Sequence, residues 1–386
     1  MPPANRFRHQ SYSAERPQAP FHVLAADAGA DVGSDEFTQR MQQVGQSWRE
    51  AGVERVYLVH GTFVGNDALG LWRGLSRIMP AAASPLRKLS RSLGEAVFGE
   101  NGNFTQEYAE GMQRALSNND GPSIPVVRFD WSSENNHIGR ADAAIRLIDD
   151  ITQLEPHRRI LLWGHSHGGN VFALMSNLLS GDRESVARFF DAARAYYRYP
   201  LFRRIDLPVW ESVRERLLNS ERPLGKTKLD FTTFGTPIRY GWDVAESDRL
   251  LHFVHHRPAA DHPPYLASFP PKADDVLHAV GGDYIHQMGI AGTNVMPPLL
   301  APRAWLSDCR LNALLQPGLR IRDLRTHLAQ GMRVAEDGTT LLIDYGEPEE
   351  NITQHHAGHA VYTRSRWMLF HAEQVTQRFY DSHATG

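Results

Sequence analysis

Arg159-Ile160-Leu161-Leu162-Trp163-Gly164-His165-Ser166-His167-Gly168-Gly169-Asn170-Val171-Phe172-Ala173-Leu174-Met175 is the stretch whose reading decides the fold. An apolar run of strand length ends in Gly-His-Ser-His-Gly-Gly and passes directly into an apolar segment with helical spacing, which reads as strand, sharp turn, helix. The glycines answer a steric need, because a serine on a strained turn requires neighbours without Cβ atoms where strand and helix nearly collide. Gly164 and Gly168 supply that room, and Ser166 is expected to project its hydroxyl from an exposed bend at the top of a sheet. The unpaired amides that open the following helix would face any negative charge developing there. Ser166 is therefore a candidate nucleophile; the plainer reading is a glycine-rich turn whose serine caps a helix.

Upstream, Arg55-Val56-Tyr57-Leu58-Val59 is a continuous apolar run of the kind found in strands buried on both faces. It ends in His60-Gly61-Thr62-Phe63. Together with Gly164-His165-Ser166-His167-Gly168 this resembles the lipases and esterases of the α/β-hydrolase superfamily, whose Gly-x-Ser-x-Gly elbow carries the nucleophile. The resemblance implies an oxyanion hole from the backbone N–H of Thr62, with Phe63 next in line, and that of His167. Gly-His-Ser-His also resembles the Gly-His-x-His segment of binuclear metallophosphoesterases. The Asp-x-His, Gly-Asp-x-x-Asp and Gly-Asn-His-Asp/Glu segments that such a site needs are absent upstream, and ligands must be counted before a metal site is named.

Downstream, Leu229 to Pro237 is a β-rich run ending in Gly235-Thr236-Pro237, and Leu250 to His256 reads as the next strand, leading into a loop that closes on Pro263-Pro264. The pair resembles the second half of fungal-type (class 3) lipases, which implies that the triad acid lies in that loop, at Asp261. The rival acids are Asp283 and Asp243. If Ile285 to Asn294 is instead the true seventh strand, Asn294 stands in the acid's place, an amide that can orient an imidazole but not balance its charge. Thr339 to Tyr345 reads as the last strand, paired with Arg333-Val334 across Asp337-Gly338, and Arg364 to Tyr380 as the last helix. His359, between them, resembles the triad histidine, with His355 and His356 in reserve.

The remaining chain is organised around this frame. Residues 1–33, with Pro2, Pro3, Pro17 and Pro20, read as a flexible arm, and 34–386 as one domain. Ser34-Asp35-Glu36-Phe37 starts a helix that runs to Ala51 before Gly52, and further helices are expected over 105–117 and 140–154. Two insertions stand out. Residues 69–104 are basic and amphipathic, either a lid that touches lipid or core-facing helices with solvated arginines. Residues 183–224 interleave aromatics with arginines, either lining an acyl pocket or fastening a cap to the body.

The bulk numbers agree with a soluble globular protein. The 386 residues are 41% hydrophobic and 22% charged, and a net charge of -3 gives no field for nucleic acid. The single cysteine, Cys309, excludes an internal disulfide framework. No signal-peptide core and no run of eighteen apolar residues is present, so a cytoplasmic location is expected. The 19 histidines raise a zinc site as a minor alternative, but no metal or other cofactor is expected. The expected whole is a mainly parallel α/β-hydrolase sheet with helices on both faces, acting as a serine esterase or lipase on ester or lipid-like small molecules, with peripheral membrane contact conceivable. Acyl transfer on the same fold and a silent partner-binding scaffold are the alternatives.

Overall fold

The computed structural model describes residues 7–61, 103–117, 122–155, 157–198, 207–289, 294, 297, 301–316, 324–347 and 355–381. The expectations placed on Thr62, Phe63 and all but the last two residues of the 69–104 insertion lie outside that set. Seven strands form one all-parallel sheet: β1 (Phe21–Ala25), β2 (Val53–Val59), β3 (Val126–Phe129), β4 (Arg159–His165), β5 (Lys228–Phe234), β6 (Arg249–His255) and β7 (Thr339–Asp344), in the spatial order β1-β7-β6-β5-β4-β2-β3. Parallel neighbours cannot be joined by tight turns, so helices carry the crossovers and cover both faces.

Alternation along β4 sorts the core. Ile160 and Leu162 face one layer, with α3 (His137–Thr152) and α4 (His167–Ser180), while Leu161 and Trp163 face the other, with α1 (Asp35–Glu50), α2 (Gln106–Leu116) and α11 (Met368–Phe379). On α1 the Ser34 hydroxyl accepts the Phe37 amide at 3.1 Å, and Phe37, Met41, Val44 and Trp48 form the buried stripe. Trp48 then donates its indole N–H to Thr376 Oγ1 at 2.8 Å, tying α1 to α11.

Residues 183–224 form α5 (Arg183–Tyr197) and α6 (Pro208–Asn219) on either side of residues 199–206, which lie outside the described set. Phe189, Phe190 and Tyr197 all pack on Trp210, whose N–H donates to Asp142 Oδ1 on α3 at 2.8 Å. These rings fasten the insertion to the body. The order continues through α7 (Ala273–Leu277), α8 (Tyr284–Gly289), α9 (Pro302–Leu315) and α10 (Leu324–Ala329). No helix among the described residues is long and apolar enough to cross a membrane.

Four expectations change. Residues 1–33 are more than an arm: Phe7 is buried against Phe189, and Phe21–Ala25 adds an edge strand to β7. That strand is largely exposed despite its mostly apolar sequence, so its order comes from pairing with its partner and not from burial of one face. Ile285 to Gly289 is helical within α8, not a strand; so short a segment, with His286 and Gln287 between its apolar residues, is too brief for its period to be read. Arg333-Val334 does not pair with β7. The Arg333 amide bonds Tyr265 O at 3.2 Å, and Val334 packs on Val254 and Leu342 from the side. The last helix begins at Met368, after two short 3₁₀ turns, not at Arg364.

Gly45 lies where α1 crosses α2: a Cβ there would come within 2.0 Å of the Leu116 carbonyl oxygen. Gly45→Ala is accordingly expected to destabilise the protein by about 1–3 kcal/mol, although alanine is the better helix former. Gly111→Ala, on α2 with nothing within 4 Å, is expected to stabilise it by roughly 0.5–1 kcal/mol. Urea midpoints of the two variants against the parent chain check both signs.

Candidate active site

Strand order reverses between β2 and β4, because the chain leaves β2 outward to β3 and returns on the other side to β4. The crevice beyond the C-terminal ends of such a pair is the usual ligand position in open α/β sheets. Ser166 and the His60-Gly61 loop both sit there. Ser166 has φ 53° and ψ -129°, a strained backbone that opens α4 directly. Its amide donates to Phe234 O at 2.8 Å, and its carbonyl accepts Thr236 Oγ1 at 2.8 Å and the Gly169 amide at 3.1 Å. A Cβ on Gly164 would lie 2.5 Å from the Phe172 ring, and one on Gly168 2.4 Å from Val59 O, so both glycines are required by close approach.

Gly61 faces the serine, since a Cβ on it would fall 2.6 Å from Ser166 Cβ and 3.1 Å from Oγ. The loop is fixed from behind. Trp131 donates its N–H to His60 O at 3.0 Å, and the buried His60 ring stacks on Trp131 with its Nδ1 2.9 Å from Gly61 O. Burial pushes the His60 imidazole below its ordinary range, which keeps it neutral. His167, directly after Ser166, is the first residue of α4; its ring is buried and its Nδ1 lies 3.2 Å from Asn170 Nδ2.

His359 is brought to the elbow by His165. The two rings are 4.6 Å apart, and His165 Nε2 lies 3.2 Å from His359 O. Burial first, then the His359 charge, holds the His165 imidazole well below its ordinary range, so its N–H donates to that carbonyl as a neutral ring. On its other side His359 Nδ1 lies 2.7 Å from Asp283 Oδ2, both groups buried. Tyr362 OH donates to the same oxygen at 2.9 Å, and the His286 amide to Asp283 Oδ1 at 2.8 Å, which makes Asp283 the N-terminal cap of α8. The guanidinium of Arg333, fully buried, bonds the Asp283 carbonyl from beneath. Burial alone would raise the Asp283 carboxyl, but the His359 charge and hydrogen bond, with help from His286, outweigh it and hold the acid well below the usual carboxylate range.

The Phe234-Gly235-Thr236 segment serves both halves. Phe234 and Thr236 grip the Ser166 backbone, while Gly235, at φ 57°, makes room for the acid: a Cβ there would lie 2.6 Å from Asp283 Oδ2. A carboxylate on Nδ1 fixes the tautomer with the proton on that nitrogen and leaves Nε2 as the basic one. The arrangement can therefore take a proton at Nε2 while Asp283 balances the resulting charge.

The residues expected at the site fall into two groups. Ser166, His167, Gly164 and Gly168 form one turn, and His359 packs against His165 next to it. Asp261 does not join them: it is exposed in the turn after β6, and Asp283 occupies the far nitrogen of His359 in its stead. Asp243 faces Arg8 at 3.7 Å, and Asn294 bridges Arg140 and Asp308 at 2.8 Å each. His355 Nδ1 accepts the Gly358 amide at 3.2 Å and supports the turn before His359. The Ser166 hydroxyl is not exposed. It is buried, with no hydrogen-bond partner among the described residues. Tyr362, Arg333 and His165 escaped the sequence reading as parts of the site, and Asp283 stood there only as a rival acid. No group of three His, Cys, Asp or Glu residues able to hold a metal occurs among the described residues.

No protein-family model matches the chain, and no curated protein matches it. Among solved structures, an uncharacterized protein from Pseudomonas aeruginosa is similar at 9% identity with a TM-score of 0.19, the match covering 96% of this chain and spanning 61% of the length of that one. So slight a likeness carries no argument about fold or function.

Proposed function

We propose that this chain is a serine hydrolase of the α/β-hydrolase superfamily that cleaves carboxylic esters through an acyl-enzyme. The observation that carries this reading is the 2.7 Å hydrogen bond between His359 Nδ1 and Asp283 Oδ2, held in full burial beside the strained turn of Ser166. Chain order supports it: nucleophile after β4, acid after β6 and histidine after β7 is the order of that superfamily.

In the proposed reaction His359 Nε2 takes the Ser166 proton as Oγ attacks the ester carbonyl, and Asp283 stays ionised to balance the imidazolium. The oxyanion is met by the His167 amide at the positive end of α4, a preorganised donor worth about 3 kcal/mol; the sequence resemblance assigns the second donor to Thr62. His359 then returns the proton to the departing alcohol, and water repeats the cycle on the acyl-enzyme. Tyr362 and the α8 cap hold the carboxylate in register for both half-reactions.

A fluorophosphonate probe is expected to label Ser166 in the folded protein and to leave Ser166→Ala unlabelled, read by peptide mass spectrometry. A native chain that resists labelling at Ser166 argues against catalysis and for a silent scaffold. On a short p-nitrophenyl ester, Asp283→Asn is expected to lower kcat by roughly 10⁴, through loss of the charge and the correct tautomer. Asp261→Asn is expected to stay within about twofold of the parent, as an exposed side chain remote from the reacting atoms should. The opposite ranking of the two variants would return the acid to Asp261.

A further inference from the structure

Behind the acid, between α4 and the β5-β6-β7 face of the sheet, lies a cavity of about 10 Å³ lined by Asn170, His252, Thr340, His286 and two arginines, Arg239 and Arg333. Its volume suits one water-sized occupant. Both guanidinium groups are buried, and neither forms an ion pair among the described residues. Arg239 has one hydrogen bond, from Nη2 to Gln316 Oε1 at 2.8 Å, and its Nε and Nη1 have no partner. Arg333 gives its Nη atoms to carbonyls of Asp283 and Gly281 and leaves Nε without a partner. His286 Nε2 and Thr340 Oγ1 are likewise buried without a partner.

Buried donors without acceptors, and buried charge without counter-charge, are both strongly disfavoured. Of the two carboxylates that act on these arginines, Asp283 is already engaged by His359, Tyr362 and the His286 amide, and Asp308, beyond ion-pair distance of Arg239, by Asn294 and the Ile138 amide. A water molecule would accept from these donors but leave the charge uncompensated, whereas a monatomic anion does both. We propose that this cavity is a binding site for a halide-sized anion, held by the guanidinium groups of Arg239 and Arg333 in the space behind the candidate triad. Burial, and next the Arg140 charge, push the Arg239 guanidinium down to about 10, and the opposing Asp308 charge offsets them only in part. The anion is a structural partner of the acid loop and takes no part in the ester chemistry, so the site stands or falls independently of the proposed reaction.

Crystals of the parent chain grown in sodium bromide are expected to show an anomalous peak between the two guanidinium groups. In solution, melting in 200 mM sodium chloride is expected to lie about 1–3 °C above melting in equimolar sodium gluconate, whose anion is too large for the cavity, and the difference should vanish in Arg239→Gln. An ordered oxygen with no bromide peak overturns the proposal, as does a chloride increment of equal size in Arg239→Gln. If that variant does not fold, the anomalous map of the parent chain decides alone.

Discussion

At Ser166 three neighbouring strands have to agree. The turn from β4 into α4 costs roughly 1–3 kcal/mol in backbone strain, and such a conformation persists only where its surroundings leave no alternative. Here the end of β5 and the turn after it bond the serine amide and carbonyl through Phe234 O and Thr236 Oγ1, and β2 brings Val59 O so near Gly168 that no side chain fits between. The helix cannot start one residue earlier or later without losing those contacts. Much of the local sequence, from Gly61 to Gly235, follows from this one constraint.

Around the turn the protein buries an unusual density of imidazole and guanidinium. His165, His286 and His371 are all held well below their ordinary range by burial, and so are neutral rings that pack and donate or accept single hydrogen bonds. Asp283 is the exception, an ionised group kept so by two donors, the Tyr362 hydroxyl and the His286 amide, and by the histidine it orients. In a low-dielectric setting each of those bonds is stronger than it would be in water, and an unmade one is correspondingly expensive. The acid is thereby built into the fold by its role as a helix cap as well as by its partner, a double use that ties the site's geometry to local stability.

What could be read from the residues was what local spacing determines. The β4-turn-α4 unit, the buried strands on either side of it and the α1 start at Ser34 each depend on contacts within a few residues, and periodicity and capping signal them directly. The acid depended on which of two loops after β6 folds back towards His359. Asp261 has the better position in the chain and Asp283 the better position in space, a difference set by the mostly irregular backbone between them, whose one short helix, α7, gives little periodicity to read. Tyr362 and Arg333 are long-range partners of that same loop and were hidden for the same reason. Edge strand β1 was hidden because its register is dictated by β7, at the far end of the chain.

That last pairing shapes how the molecule must come together. Phe21 and Thr340 are neighbours in the sheet though roughly 320 residues apart in the chain, a separation that makes closing the edge slow and late. During synthesis β1 has no strand to join until β7, roughly 320 residues later, has been made. The outer margin of the sheet therefore closes by an early segment docking on a late strand, next to the loop that carries His359.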